Sequence, residues 1–150
     1  MRRRALVGLL ALPIAAAASA QHPGLPPARS LPDELAAALQ RGLPLVVLVS
    51  LEGCPYCKEV RENYLMPMQR AQTLAAVEID MRSAAPLRDF AGRTVTHEQM
   101  ARAWRVRTAP TVLFFGGGGR EVAGRLVGLS ADFYEAYLQE RLRQARAGLG

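Results

Sequence analysis

Leu45-Val46-Val47-Leu48-Val49-Ser50-Leu51-Glu52-Gly53-Cys54-Pro55-Tyr56-Cys57 is the stretch on which the fold of this chain turns. Leu45 to Leu51 has no polar alternation apart from Ser50, the pattern of a central strand buried on both faces. Both cysteines of the chain follow it, with two residues between them, and Lys58 to Leu65 then has helical character until Pro67 marks a kink or an end. A strand that delivers Cys54 to a helix N-terminus sets its sulfur among unpaired N–H groups and at the positive end of the helix dipole, both of which favour a thiolate. Cys57, three positions on and almost one helical turn away, can close a small disulfide ring with it. It shares a helical face with Val60 and Tyr64, the side expected to be buried. Cys54 is thus the expected exposed nucleophile and Cys57 the shielded resolving thiol.

A structural staple is the bland alternative. Loop closure over so short a ring stabilises by only about 2 kcal/mol, against about 4.7 kcal/mol for a loop of about 100 residues, so stapling is a poor use of this spacing. A zinc site needs further ligands; His22 and His97 are the only histidines and neither stands in ligand spacing with the pair, so no metal site is expected. Lys58, four positions after Cys54, either brings positive charge to the thiolate or pairs with Glu62 as a solvated lysine. Glu52, two positions before Cys54, either raises the thiol pKa and relays a proton or is a surface carboxylate.

Outward from the motif the chain alternates helix and strand. Ser30 and Asp33 have capping-box-like spacing before a first helix with Leu35 and Leu39 inward, closed by Gly42. Ala75 to Ile79 is a second strand, ended by Asp80, and Met81 to Val95, with Pro86 and Gly92, reads as an irregular inserted loop or turn of helix. Thr96 and Gln99 form another capping-box pattern opening a helix through Trp104. Thr111 to Phe115 is a third strand, Val122 to Leu126 alternates as a fourth, and Ser130 is placed to cap a last helix with Tyr134, Leu138 and Leu142 on one face. Gly116 to Gly119 permits a hairpin and not a crossover, so the strands on either side should be antiparallel. No Lys-Ser/Thr and no helix follow these glycines, which removes a phosphate loop. The order predicts an α/β domain with a central mixed sheet of about four to five strands flanked by helices.

Arg2, Arg3 and Arg4, the apolar run Ala5 to Ala18 interrupted by Pro13, and Ala18-Ser19-Ala20 have the three-part pattern of a cleaved secretory signal. The apolar run falls short of the roughly 18 to 20 residues that span a bilayer, so no stable membrane insertion is expected after cleavage. The expected organisation is a signal peptide at 1–20, a flexible proline-rich leader at 21–30 and one domain at 31–147. Export predicts a periplasmic location, where disulfides persist. Three of the positive charges lie in the signal, so the formal charge of +6 falls to +3 without it. The remaining arginines are dispersed among acids and without a basic block interleaved with aromatics, which argues against nucleic-acid binding.

Gly53-Cys54-Pro55-Tyr56-Cys57-Lys58, with Val106 to Phe115 carrying Thr108-Ala109-Pro110-Thr111, and Gly119-Arg120-Glu121-Val122 through Gly128, resembles the thioredoxin-like superfamily. It is most similar to the exported thioredoxin-related proteins, including those associated with bacterial sulfur oxidation, over about residues 31 to 145. The resemblance implies that Pro110 is a cis-proline facing the redox pair, with Ala109 and Thr108 beside it meeting an extended substrate. It implies a thiol-disulfide oxidoreductase that needs no cofactor, acts on exported proteins with disulfides and is recharged by a membrane electron donor. A thiol oxidase or isomerase of the same fold, or a non-enzymatic copper- or apocytochrome-binding chaperone, is the alternative. The chain departs from typical thioredoxins at Gly53, where they carry tryptophan, at Pro55 and Tyr56, where they carry Gly-Pro, and at Leu48, where they keep a buried aspartate. Pro55, Tyr56, Glu52 and Lys58 are therefore expected to modulate the pair.

Overall fold

A computed structural model describes residues 24–130 and 132–150 of the chain. The proposed signal segment and His22 lie outside the described residues. In chain order the elements are α1 (Leu31–Gln40), β1 (Leu45–Ser50), α2 (Pro55–Glu59), a π-helical stretch (Val60–Leu65), α3 (Met66–Arg70), β2 (Ala75–Asp80), β3 (Pro86–Arg88), β4 (Thr94–Thr96), α4 (His97–Ala103), β5 (Thr111–Gly116), β6 (Arg120–Glu121), β7 (Leu126–Val127) and α5 (Tyr134–Ala147).

The unbroken apolar run of β1 is buried at every residue because neighbours cover both its faces and both its edges. It pairs in parallel with β2 and antiparallel with β5, and β6 and β7 continue the sheet on the far side of β5. The alternation of side chains across the strands divides the core in two. Leu45, Val47, Val49, Val77, Ile79, Leu113 and Phe115 pack with Leu31 and Leu35 of α1 and Met100 of α4. Val46, Leu48, Ala76, Val112 and Phe114 pack on the other side with Val60, Leu65 and Met66 and with Tyr134, Leu138 and Leu142 of α5. This is the expected mixed α/β sheet, with five strands.

Several local expectations change. The leader is not a free tether from Gly24 onward: Leu25 and Ala28 are buried, and the segment lies along the outer edge of β2. Ala28 N–H donates to the Glu78 carbonyl at 2.8 Å and Glu78 N–H to the Pro26 carbonyl at 2.9 Å. Prolines suit this edge because an edge segment can leave a missing N–H facing solvent. At α1, Ser30 is the N-cap without a side-chain cap bond. Its hydroxyl donates to Asp33 at 2.6 Å, while the Glu34 carboxylate accepts from the Arg29 N–H at 2.8 Å.

Pro67 does not end its helix. The chain passes through the π-helical stretch, whose closing residue Met66 donates to the Arg61 carbonyl, and Pro67 follows inside the continuous helical run, its missing N–H falling where that wider turn gives way to α3. The segment expected as an irregular loop contains the β3–β4 hairpin, closed by Asp89, whose carboxylate accepts from the N–H groups of Ala91 and Arg93. The fourth strand is split into β6 and β7, both antiparallel to β5. Ser130 does not cap α5; Phe133 is its N-cap residue. The Thr96–Gln99 capping box does form, in both directions.

Candidate active site

The parallel register of β1 and β2 sets Ser50 level with Asp80, so both strands end together beneath the Cys54 loop. Met81 N–H donates to the Ser50 carbonyl at 2.9 Å, and the Asp80 carboxylate accepts the Glu52 N–H at 3.1 Å. Gly53 takes φ +75°, a left-handed turn that glycine adopts without the penalty of a Cβ. Cys54 N–H closes the turn on the Leu51 carbonyl at 3.1 Å. Cys54 is then the N-cap of α2, with Pro55 in the first turn, where its fixed φ suits the helix.

Cys54 and Cys57 form a disulfide with a Cα–Cα distance of 5.3 Å. The Cys54 sulfur also accepts the Cys57 backbone N–H at 3.2 Å, so the N-cap position is occupied by sulfur where serine or aspartate would supply oxygen. The two sulfurs differ in access, as expected: Cys57 is 0% exposed, while Cys54 is partly exposed. Val60, one helical step further on the Cys57 face, is also fully buried, in the apolar layer that holds Leu48.

Cys54, Glu52, Pro55 and Lys58 line one groove of about 700 Å³, which also reaches Leu25 and Pro27 of the leader. Lys58 and Glu62 are both exposed, and no ion pair joins them among the described residues. The cation that pairs from this helix is Arg61, which holds Glu78 through two bonds of 2.9 and 2.6 Å. The Glu78 hydrogen bond pushes the Arg61 pKa further above its ordinary value. Tyr56 stands 62% exposed beside the pair.

Thr108, Ala109 and Pro110 do not line that groove. They precede β5, whose Thr111 pairs with Val49, so they lie at the same end of the sheet on the other side of β1. The Ala109–Pro110 peptide is cis. The Pro110 carbonyl accepts from Gly128 N–H at 2.7 Å, and the Thr108 carbonyl from the Thr111 hydroxyl at 2.6 Å.

Sequence reasoning did not find Asp80, Arg61 with Glu78, or His97 as parts of this region. Asp80 was legible as the end of a strand, but its reach to Glu52 depends on the β1–β2 register. His97 is buried beneath the leader, which no ligand spacing announces.

The family model for the thioredoxin-like domain matches residues 31–142. The chain belongs to the thioredoxin-like family. No curated protein matches it. Among solved structures, this thioredoxin-like domain is similar to a thioredoxin from Thermus thermophilus, with 24% identity, 79% of this chain and 85% of that chain covered and a TM-score of 0.52. It is also similar to a poplar thioredoxin h, at 17% identity, with 75% and 94% covered and a TM-score of 0.54. A Schistosoma mansoni thioredoxin in its reduced form is another, at 19% identity, with 77% and 92% covered and a TM-score of 0.52. These likenesses carry the fold. With a Cys-X-X-Cys disulfide at the head of its active-site helix, the thioredoxin-like protein is a thiol-disulfide oxidoreductase.

Proposed function

We propose that the protein acts in the periplasm as a reductase of disulfides in exported proteins. In the reduced enzyme the Cys54 thiolate attacks one sulfur of the substrate disulfide. The substrate S–S bond breaks, the first substrate thiolate leaves and takes up a proton, and Cys54 is left in a mixed disulfide. The deprotonated Cys57 then attacks the Cys54 sulfur, the mixed disulfide breaks, and the second substrate thiol departs. Two electrons pass from the dithiol to the substrate. A membrane electron donor restores the dithiol in this reading.

The observation that carries the assignment of roles is the unequal access of the two sulfurs, fully buried at Cys57 and partly exposed at the N-cap Cys54. Thr108, Ala109 and Pro110 are proposed to receive the substrate backbone. Placement supports this: they lie at the sheet end that carries the Cys54 loop, and among the described residues the Ala109 N–H and C=O have no hydrogen-bond partner. Periplasmic action rests on the signal pattern at 1–20.

Trapping with Cys57→Ser tests the reading. The variant should accumulate mixed disulfides between Cys54 and exported proteins, and no trapped exported protein would sink the proposed substrate class. Equilibration with glutathione tests the direction. A potential near about −270 mV supports a reductase, whereas one near about −120 mV marks an oxidase.

A further inference from the structure

The docked leader, the end of β2 and the Cys54 loop are joined by hydrogen bonds that pass through one side chain, His97. His97 is 4% exposed. Its Nδ1 accepts the Asp80 backbone N–H at 3.3 Å, which leaves the ring proton on Nε2, and Nε2 donates to the Ala28 carbonyl at 2.9 Å. Beyond Asp80 the run reaches the redox loop, since Asp80 Oδ2 accepts the Glu52 N–H at 3.1 Å and Oδ1 accepts the Arg82 N–H at 2.8 Å. Beyond Ala28 it reaches the edge of the sheet, since Ala28 N–H donates to the Glu78 carbonyl at 2.8 Å. A ring with an acceptor at one edge and a donor at the other spans two backbones that are far apart in sequence. His97 is itself pinned, its own N–H donating to the Ala85 carbonyl at 3.0 Å.

We propose that His97 is a positioning residue for the Cys54 nucleophile. It fixes Asp80, whose carboxylate holds the turn that presents Cys54, and with its other nitrogen it holds the leader against β2. The inference rests on Cys54 as the attacking sulfur; neither readout below uses a substrate, so failure of the proposed substrate class leaves both intact.

The two nitrogens can be separated by substitution. The amide of Asn reaches the place of Nδ1, and the longer Gln reaches the place of Nε2. The full chain, reduced, is followed by the iodoacetamide alkylation rate of Cys54 across pH and by amide exchange at Ala28 and Glu78. His97→Ala is expected to slow alkylation and speed the exchange, each by about two- to tenfold, the range of one ordinary hydrogen bond. His97→Asn should restore the alkylation profile without protecting the leader, and His97→Gln should protect the leader without restoring the profile. A merely structural histidine would move both readouts together in all variants, and that result overturns the proposal. So does an alkylation profile that stays at wild type throughout. Because the Asn and Gln variants each keep one bond, their comparison decides the matter even where the Ala variant does not fold.

Discussion

The Cys54 sulfur accepts a hydrogen bond from the backbone N–H of Cys57 at 3.2 Å, so the proposed attacking sulfur and the proposed resolving residue meet within one turn of helix. If the turn keeps this shape when the pair is reduced, the same N–H would meet a Cys54 thiolate, and a charged acceptor strengthens such a bond. Burial of Cys57 adds a second asymmetry.

Limiting iodoacetamide on the reduced protein should therefore label Cys54 over Cys57 by more than about tenfold, a difference of about 1.4 kcal/mol in barrier. Peptide mapping of the alkylated protein measures it. Equal labelling, or labelling of Cys57 first, would reverse the roles assigned to the two sulfurs.

Gly119 supports the hairpin between β5 and β6 and the packing of the β3–β4 hairpin at once. Its φ is +71°, and a Cβ built there would lie 2.5 Å from Cγ of Phe90. Gly119→Ala should cost about 2 to 4 kcal/mol, from left-handed strain and overpacking together. Urea unfolding reads this as a lower midpoint at an unchanged slope. A loss below about 0.5 kcal/mol would mean that the hairpin gives way at no cost.

The sheet was legible because Leu45 to Val49 and Val112 to Phe115 are short apolar runs without polar alternation, bounded by turn residues, the pattern of strands covered on both faces. The redox pair was legible for the same local reason: strand, turn and helix N-terminus are contiguous with Cys54. What escaped reading depends on contacts distant in sequence. Leu25 and Ala28 look like isolated apolar residues in a proline-rich leader until the free edge of β2 is present to receive them. Asp80 and His97 join the site only through the β1–β2 register and that docked leader. Ser30 and Ser130 have the composition of caps, but the Ser30 hydroxyl turns to Asp33 although the residue is the N-cap of α1, and Phe133 takes the start of α5 in place of Ser130, neither of which spacing alone reveals.

Asp89 should make the β3–β4 hairpin sensitive to acid. Its carboxylate is held below the ordinary 3.8, first by the Arg93 backbone N–H and also by the Arg93 side chain. A lowered folded pKa means that the unfolded chain binds the proton first, so this contribution is present above about 3.8 and is lost as pH falls through the folded value. Protection of the Ala91 and Arg93 amides, measured against the intrinsic exchange rate at each pH, should fall over that acid window in the wild type. Asp89→Asn should show faster exchange already at neutral pH and little further acid dependence. Identical pH profiles for the two proteins would remove Asp89 as the source.

Arg61 and Glu78 form a two-pronged ion pair with side chains only 22% and 16% exposed, between the active-site helix and the leader edge of β2. Removing Arg61 leaves the Glu78 carboxylate partly buried without its cation, so Arg61→Ala should cost about 1.5 to 3 kcal/mol. Arg61→Ala with Glu78→Ala should cost less than the sum of the single changes, because the second change removes the stranded charge. Denaturation of the four proteins in a double-mutant cycle gives the coupling. Strict additivity would show that the pair contributes nothing of its own.

Leu48, where the resemblance to thioredoxins implies that a buried aspartate is replaced, is 0% exposed in the apolar layer shared with Val60 and Val112. No carboxylate is available there to take the Cys57 proton. Leu48→Asp should destabilise the fold by about 3 to 5 kcal/mol at neutral pH, because the new group is desolvated and unpaired. Burial raises the pKa of such a carboxyl, so the folded state holds the proton longer than the unfolded chain, and the penalty should shrink as pH falls below the folded value. Resolution of a preformed Cys54 mixed disulfide should gain a titration step absent from the wild type, since the new carboxylate can accept a proton near Cys57. Stopped-flow release of a chromogenic thiol across pH, beside urea midpoints at the same pH values, measures both effects. A variant as stable as the wild type at neutral pH, with an unchanged resolution profile, would mean that the layer around Leu48 already admits water and that the buried state of Cys57 does not govern its proton transfer.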